Sequence, residues 1–196
     1  QVYPLKNKDV AVATSGYGIM LKKQDAQECH AMKGEVEKLK HIHKLLEDKR
    51  GRLWIIAEDG RLYRKETNGK ITSYFAGTEG VSAQDIQQDA LGNIYLASKN
   101  QGVYLLRAGS NVFTRISNIG NLPIDNIYIS RNNKLYIGSD GLGIYVYDPQ
   151  TGFLQDNPLF SRLVNLAKSK VTSIIEDNQG NIWVSMLQKG VFMQNN

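Results

Sequence analysis

The sequence predicts an all-β fold, a β-propeller built from four-stranded antiparallel blades. Two observations predict it. A strand-like apolar segment recurs every 41 to 47 residues, beginning at Val10, Leu53, Ile94, Leu135 and Ile182. A glycine stands seven or eight residues after each of these positions, and in most copies a second apolar segment follows the glycine. A period of about 40 to 45 residues with four strands is that of a propeller blade.

The composition is that of a folded globular protein. The chain has 196 residues, of which 41% are hydrophobic and 22% charged, with a formal net charge of +5. These values exclude a disordered or collagen-like chain, and the single cysteine, Cys29, cannot form an internal disulfide. No apolar segment approaches the roughly 20 residues of a membrane span. Between Lys22 and Arg52, nine basic residues are mixed with six acidic ones, which favours a solvated surface over a nucleic-acid interface.

Each repeat is predicted to begin with a strand that ends in a tight turn. The strand contains Leu45, Ile86, Ile127 or Ile174, eight residues before the recurring apolar segment. The turn starts with Asp or Ser, whose side chain can bond the backbone of the turn, and its fourth residue is Gly or Asn, which tolerate the left-handed conformation. The predicted structural turn residues are Asp48, Gly51, Asp89, Gly92, Asn133, Asp177 and Gly180.

The remaining three strands follow in order. The second strand is the recurring segment; residues 53–56 are apolar at successive positions, so both of its faces are expected to be buried. The third strand follows the glycine-containing loop, and the fourth is predicted over 70–75, 111–116 and 153–154. β-branched and aromatic residues dominate these segments, which disfavours a helical solenoid.

The repeats divide the chain into five segments. An incomplete first blade with a charged insertion covers residues 1–41; three complete blades cover 42–82, 83–123 and 124–170; an incomplete last blade covers 171–196. We therefore expect a partial array, which enters at the second strand of the first blade and stops after the third strand of the last. The insertion at 22–39 is predicted to form an outer strand and an extended loop, with a short helix around 35–40 as the alternative. A second insertion is predicted at 156–170.

The fifth repeat carries a family resemblance. Residues 171–185 read V-T-S-I-I-E-D-N-Q-G-N-I-W-V-S, which resembles the repeat of the two-component regulator propeller family, approximately V-x-x-I-x-E-D-x-x-G-N-[LI]-W-[IV]-[GS]. Residues 45–55 match it nearly as well, whereas the third copy has Tyr95 in place of Trp and the fourth lacks the acidic pair and the Gly. The resemblance extends over residues 42–193 and more weakly over 9–23. It implies a longer, seven-bladed propeller.

The resemblance also implies a role in signal transduction. Such repeats are similar to the extracytoplasmic sensor regions of hybrid two-component systems, especially those of gut Bacteroidetes that regulate polysaccharide-utilisation genes. For this chain it implies a periplasmic segment of a membrane-anchored inner-membrane protein that recognises an oligosaccharide. The parent would self-associate as a homodimer and relay the signal to a cytoplasmic histidine kinase outside these residues. The segment itself is expected to be no enzyme, to need no cofactor, and to contact neither nucleic acid nor membrane. A protein-interaction scaffold and a carbohydrate-active propeller enzyme are the alternatives.

A ligand is expected at one end of the blades. In a propeller, the loops between the second and third strands and the connections between blades share one end, and the Asp turns lie at the other. The polar residues predicted at the first end are the candidate ligand-binding residues: Tyr17, Asp59, Asn100, Gln101, Asp125, Asn126, Asp140 and Gln188. The competing interpretation is that these loops are polar only because they are exposed.

No motif for metal binding or catalysis is found in the sequence. Cys29 and the three histidines, His30, His41 and His43, lack the ligand spacing of zinc sites. Residues 16–18 and 141–143 read Gly-x-Gly, but neither is followed by the third glycine and helix of a dinucleotide site. We therefore predict no metal ligand and no catalytic residue.

Overall fold

The computed structural model describes residues 1–75, 81–157 and 169–195. Within these ranges the chain is all-β, apart from two short 3₁₀ helices at Glu35–Lys38 and Ser117–Ile119. No helix in the same ranges is long and apolar enough to cross a membrane. Most of the predicted insertion at 156–170 lies outside the described residues.

The strand boundaries follow the predicted repeat. In chain order the strands are β1 (Val2–Pro4), β2 (Val10–Ala13), β3 (Ile19–Lys22), β4 (Cys29–Ala31), β5 (Ile42–Glu47), β6 (Leu53–Ala57), β7 (Leu62–Lys65), β8 (Ile71–Tyr74), β9 (Ala83–Gln88), β10 (Ile94–Ser98), β11 (Gly102–Leu106), β12 (Thr114–Arg115), β13 (Ile124–Ile129), β14 (Leu135–Ser139), β15 (Ile144–Tyr147), β16 (Leu154–Asp156), β17 (Val171–Glu176), β18 (Ile182–Met186) and β19 (Gly190–Gln194).

The strands form five antiparallel sheets, blades 1 to 5, in which neighbouring strands are consecutive in the chain. Blades 1 to 4 contain β1–β4, β5–β8, β9–β12 and β13–β16, and blade 5 contains β17–β19 within the described residues. The prediction that the first blade lacks its first strand is wrong, because Val2 pairs with Val12 and Pro4 with Val10. β1 was not predicted because this strand is short, contains a proline and is followed by residues 5–9 instead of an Asp-x-x-Gly turn.

The chain divides into two compact units, Gln1–Gln84 and Asp85–Asn196. In the first unit, one core joins the facing sides of blades 1 and 2, and its fully buried residues include Ala11, Leu45 and Ile55. In the second unit, one core joins blades 3 and 4 around Tyr95, Ile127 and Ile137, and another joins blades 4 and 5 around Tyr136, Val171 and Val184. Within a unit, sheet therefore packs on sheet, as expected for propeller blades.

The second strands of blades 2, 3 and 4 are buried along their whole length. All five residues of β6, of β10 and of β14 are buried, so the uninterrupted apolar pattern did indicate burial of both faces. In blade 5, β18 is buried on one face only, since Trp183 is 36% exposed while Val184 is fully buried.

The charged insertion of blade 1 contains both elements considered from the sequence. The outer strand β4 pairs with β3 through Met20 and Ala31. The 3₁₀ helix Glu35–Lys38 follows, and the Glu37 carboxylate accepts a bond from the Gly34 backbone N–H at 2.9 Å. Val36 anchors this helix in the core of the first unit, being 1% exposed.

The turns and the loops of each blade lie at opposite ends of the blade, as the sequence predicts. The turns after the first strands lie at one end, called here the turn end. The loops after the second strands lie at the other, the loop end, beside the connections between blades. In the first unit the Glu58 N–H donates to the His41 carbonyl at 3.0 Å, and in the second the Leu187 N–H donates to the Lys170 carbonyl at 2.9 Å. Each bond joins a loop of one blade to the segment that enters the same blade.

Candidate functional site

The turn end is organised around buried or partly buried Asp side chains. The Asp48 carboxylate, which is not exposed to solvent, accepts bonds from the backbone N–H groups of Arg50 at 2.9 Å and Arg52 at 3.0 Å. It also accepts from the Arg52 Nε at 2.6 Å and the Trp54 indole N–H at 2.9 Å. Burial acts to raise the pKa of Asp48, but the hydrogen bonds from Trp54 and Arg52 outweigh it and lower that pKa below its ordinary value.

The same module recurs in blade 5. Asp177 accepts bonds from the backbone N–H groups of Gln179 at 2.9 Å and Asn181 at 3.0 Å, and from the Trp183 indole N–H at 2.8 Å. The Trp183 and Asn181 side-chain bonds hold the pKa of Asp177 at about 2. In blade 3, Asp89 bonds the Asn93 backbone N–H at 2.8 Å and its side-chain amide at 2.7 Å.

Blade 4 keeps the turn without the acid. The Ser130 hydroxyl accepts from the Lys134 backbone N–H at 3.1 Å, and Asn133 occupies the left-handed region with φ of 61°. Gly51, Gly92 and Gly180 have φ values of 75°, 87° and 87° at the equivalent position, which favours residues without a Cβ or with a short polar side chain. The turn residues therefore use their bonding capacity within the scaffold, which leaves them little to offer a ligand.

A second repeated contact ties neighbouring blades together at the turn end. The Glu47 carboxylate of blade 2 accepts from the Lys6 backbone N–H of blade 1 at 2.7 Å. The Glu176 carboxylate of blade 5 accepts from the Arg131 backbone N–H of blade 4 at 2.8 Å. Both glutamates directly precede the turn Asp, so the two acids of the Glu-Asp pair act on different blades.

The loop end of the first unit contains a cleft of about 620 Å³. The segment 38–41, which enters blade 2, forms one wall, and the hairpin 57–63 of blade 2 forms the other. Leu39, Ala57 and Tyr63 are the less exposed part of the lining. Around them lie the charged or ionisable side chains of Lys38, Lys40, His41, Glu58, Asp59 and Arg61.

The walls of this cleft are fixed by backbone bonds and ion pairs. The Gly16 and Gly18 N–H groups donate to the Lys40 carbonyl at 2.8 and 2.9 Å. A Cβ on Gly18 would lie 2.6 Å from the Leu39 carbonyl oxygen, so this close approach requires glycine. Glu58 lies 3.5 Å from His41 Nδ1, and Asp59 lies 3.2 Å from Arg61 Nε.

Two of the predicted ligand-binding residues belong to the loop end of the first unit. Asp59 lines the cleft. Tyr17 is 78% exposed at the tip of the loop whose flanking glycines bond Lys40. The sequence prediction omitted Lys38, Lys40 and Arg61, although the expected position of the connections between blades was a signal that could have found the two lysines.

The other six predicted residues lie at the loop end of the second unit, and their surroundings differ. Asp125 forms an ion pair with Lys170 at 2.8 Å, and this bond raises the pKa of Lys170. Asn126 is only 8% exposed, and its amide donates to the Val171 carbonyl at 2.6 Å, which joins blade 4 to blade 5. The remaining four lie on exposed or half-buried loop positions: Asn100, Gln101, Asp140 and Gln188.

Two clefts formed by described residues of the second unit lie at the turn end. One of about 320 Å³ lies between the turns of blades 4 and 5 and includes Arg131, Tyr136 and Gln179. Another of about 330 Å³ includes Lys134, Asp148 and Phe153.

No three His, Cys, Asp or Glu side chains are grouped closely enough to hold a metal ion within the described ranges. Cys29 is an exposed free thiol in β4. His41 Nδ1 lies 3.4 Å from the Ser15 hydroxyl and faces Glu58, which accounts for its position without a metal.

The chain is similar to a known repeat family. Residues 165–188 match the family model described as two component regulator propeller. The match includes residues 171–185 of the fifth repeat and confirms the resemblance that this segment carries. No curated protein matches the chain with significance.

Solved structures share the fold over the whole chain. The extracellular domain of the putative hybrid two component system BT3049 from B. thetaiotaomicron has a TM-score of 0.80 and 22% identity, over 100% of this chain and 26% of that one. The extracellular domain of the putative one component system BT4673 from the same organism has a TM-score of 0.80 and 19% identity, with the same coverage. This chain thus spans about a quarter of their length.

An enzyme shares the same fold. Virginiamycin B lyase from Staphylococcus aureus has a TM-score of 0.73 and 13% identity, over 99% of this chain and 68% of the lyase. At such identities the likeness establishes the fold alone, because one fold hosts many functions.

Proposed function

We propose that this chain is a ligand-binding segment of the extracytoplasmic sensor region of a hybrid two-component system, and that its ligand is an oligosaccharide. The observation that carries the proposal is the match of residues 165–188 to the two component regulator propeller model. The extracellular domains of BT3049 and BT4673, described as parts of putative signalling systems, support it through their shared fold.

The cleft at the loop end of the first unit is the proposed binding site. Its volume of about 620 Å³ lies in the range of small-molecule sites, which is about 300 to 1,000 Å³. Its lining combines an apolar base, including Tyr63, with charged groups that can bond hydroxyls. Because Asp59 and Arg61 hold each other at 3.2 Å, they present a donor and an acceptor in a fixed arrangement, which suits adjacent sugar hydroxyls.

The rest of the proposal concerns the parent protein. The segment lies in the periplasm, and the parent is an inner-membrane protein that forms a homodimer and passes the signal to a cytoplasmic histidine kinase. The segment itself binds its ligand without converting it. Neither nucleic acid nor the membrane is a partner of these residues.

Isothermal titration calorimetry of the full chain with a panel of oligosaccharides tests the proposal. We expect at least one member to bind, and Asp59→Asn to weaken that binding. Asp25→Asn is the matched control, because Asp25 is exposed in the loop between β3 and β4, outside the cleft lining. Absence of binding across the panel at millimolar ligand would contradict the proposal. A co-purifying protein partner would then favour an interaction scaffold, and turnover of a panel member would favour an enzyme.

A further inference from the structure

We infer that the cleft at the loop end of the first unit selects oligosaccharides that carry an anionic group, such as the carboxylate of a uronic acid. The inference rests on the proposed function and names the class of ligand for the same site. It follows from the charges that line the cleft and from the partners that those charges already have.

Both acidic groups of the cleft are engaged by basic partners. Glu58 lies 3.5 Å from His41 Nδ1, and Asp59 lies 3.2 Å from Arg61 Nε. Arg61 is also held by the Tyr63 hydroxyl, which together with Asp59 raises the pKa of the guanidinium. Asp59 is therefore paired with a permanent cation, whereas Glu58 faces an imidazole that is charged only when protonated.

Two cations of the cleft have no such partner. Lys38 and Lys40 line the cleft with exposed side chains, and within the described ranges neither ammonium group makes an ion pair or hydrogen bond. The nearby Glu37 carboxylate is 3.7 Å from the Lys33 ammonium group, and the charge of Lys40 also acts on it. With Arg61, the lining carries three permanent cations against the carboxylates of Glu58 and Asp59, so that its net charge is +1 when His41 is neutral, and an anionic ligand would neutralise it.

The backbone that carries these lysines is fixed before a ligand arrives. The Leu39 side chain packs on the core of the first unit, and the Leu39 N–H donates to the Val36 carbonyl at 3.0 Å. The Lys40 carbonyl accepts bonds from both Gly16 and Gly18. A preorganised backbone reduces the conformational entropy that is lost on binding. In this cleft, the entropy lost is then mainly that of the two lysine side chains.

Calorimetric titration of the full chain with a matched pair of sugars tests the inference. The probes are α-1,4-linked trigalacturonate and the neutral α-1,4-linked galactotriose, which differ in their carboxylates. We expect the uronate to bind at least tenfold more tightly. Lys38→Gln and Lys40→Gln should each weaken uronate binding by about three- to tenfold, as for the loss of a charge-assisted contact, and leave galactotriose binding unchanged.

Lys23→Gln is the matched control, because Lys23 belongs to the same insertion, is exposed and does not line the cleft; it should leave both affinities unchanged. The preference should also shrink when salt is raised from 0.05 to about 0.5 M, since exposed charges are screened. Equal binding of both sugars, tighter binding of galactotriose, or insensitivity of uronate binding to both lysine variants would overturn the inference while leaving the proposed function intact. If neither of these sugars nor any member of the oligosaccharide panel binds, the proposed function itself fails.

Discussion

Replacement of Asp48 by Ala should be among the most damaging single changes in the first unit. The carboxylate accepts four hydrogen bonds of 2.6 to 3.0 Å. Removing the carboxylate takes away the acceptor of the Trp54 indole N–H, and the Trp54 ring is fully buried. It also takes away the ion-pair partner of the Arg52 guanidinium. Breaking a buried charged pair costs about 3 to 5 kcal/mol. We expect Asp48→Ala to fall in that range, because the bonds share one acceptor and do not add independently.

Hydrogen exchange of the backbone amides is the suitable assay. A global unfolding free energy assumes one two-state transition, whereas this chain divides into two compact units. Hydrogen exchange instead gives an opening free energy for each strand. In Asp48→Ala we expect the opening free energy of β6 to fall by about 3 to 5 kcal/mol while that of β18 is unchanged.

Asp177→Ala is the internal control for this reasoning, because the same module occurs in blade 5 with different burial. The Trp183 ring is 36% exposed whereas Trp54 is 0% exposed, so water can replace the lost acceptor. The loss in β18 should therefore be clearly smaller than the loss that Asp48→Ala causes in β6. A loss below about 1 kcal/mol in Asp48→Ala, or an equal loss in Asp177→Ala, would refute the link between burial and cost.

Three further predictions follow from the second unit. The pKa of Asp177 is lowered from 3.8 to about 2. The hydrogen bonds to its carboxylate therefore stabilise blade 5 above pH 4, and this stabilisation is lost as the pH falls towards 2. Asp177→Asn should reduce the pH dependence of hydrogen exchange in β18 in this range. Gly138→Ala should destabilise blades 4 and 5 by about 1 to 3 kcal/mol through overpacking, since a Cβ at this position would lie 2.6 Å from Val171 Cγ1. Adding Val171→Ala to this variant should restore part of the protection against hydrogen exchange. Glu176→Ala should cost about 0.5 to 1 kcal/mol, seen as faster exchange of the Arg131 amide.

The repeated pattern predicted the blades because burial and periodicity leave a direct trace in sequence. Residues 53–56 are apolar without interruption, and β6 is buried at every position. The strand Val2–Pro4 escaped prediction because it has only three residues, one of them a proline, and no Asp-x-x-Gly turn follows it. The fourth strand of blade 3 is limited to Thr114–Arg115, both of which are exposed. The predicted strand, 111–116, was longer because it included the neighbouring apolar residues.

The candidate site was harder to predict, because loop polarity does not distinguish a binding group from a structural one. Asn126 has the residue type expected of a sugar ligand, yet its amide bonds Val171 inside the second unit. Lys38 and Lys40 resemble ordinary surface lysines in sequence, and only the structure places them on one cleft with Asp59. The hydrogen-bond partners of a polar group depend on the three-dimensional structure. The repeat pattern therefore does not indicate which polar groups are already bonded.

The repeated Glu-Asp pair shows how the scaffold and the site are separated. Asp48 and Asp177 hold the turns and the tryptophans of their own blades, while Glu47 and Glu176 bond the turns of the preceding blades. Residues that recur at these positions are therefore committed to building and stacking blades at the turn end. A ligand that is specific to one cleft must instead be recognised by side chains that do not recur. In the first unit these are the side chains of the blade 1 insertion and of the Asp59 loop at the opposite end.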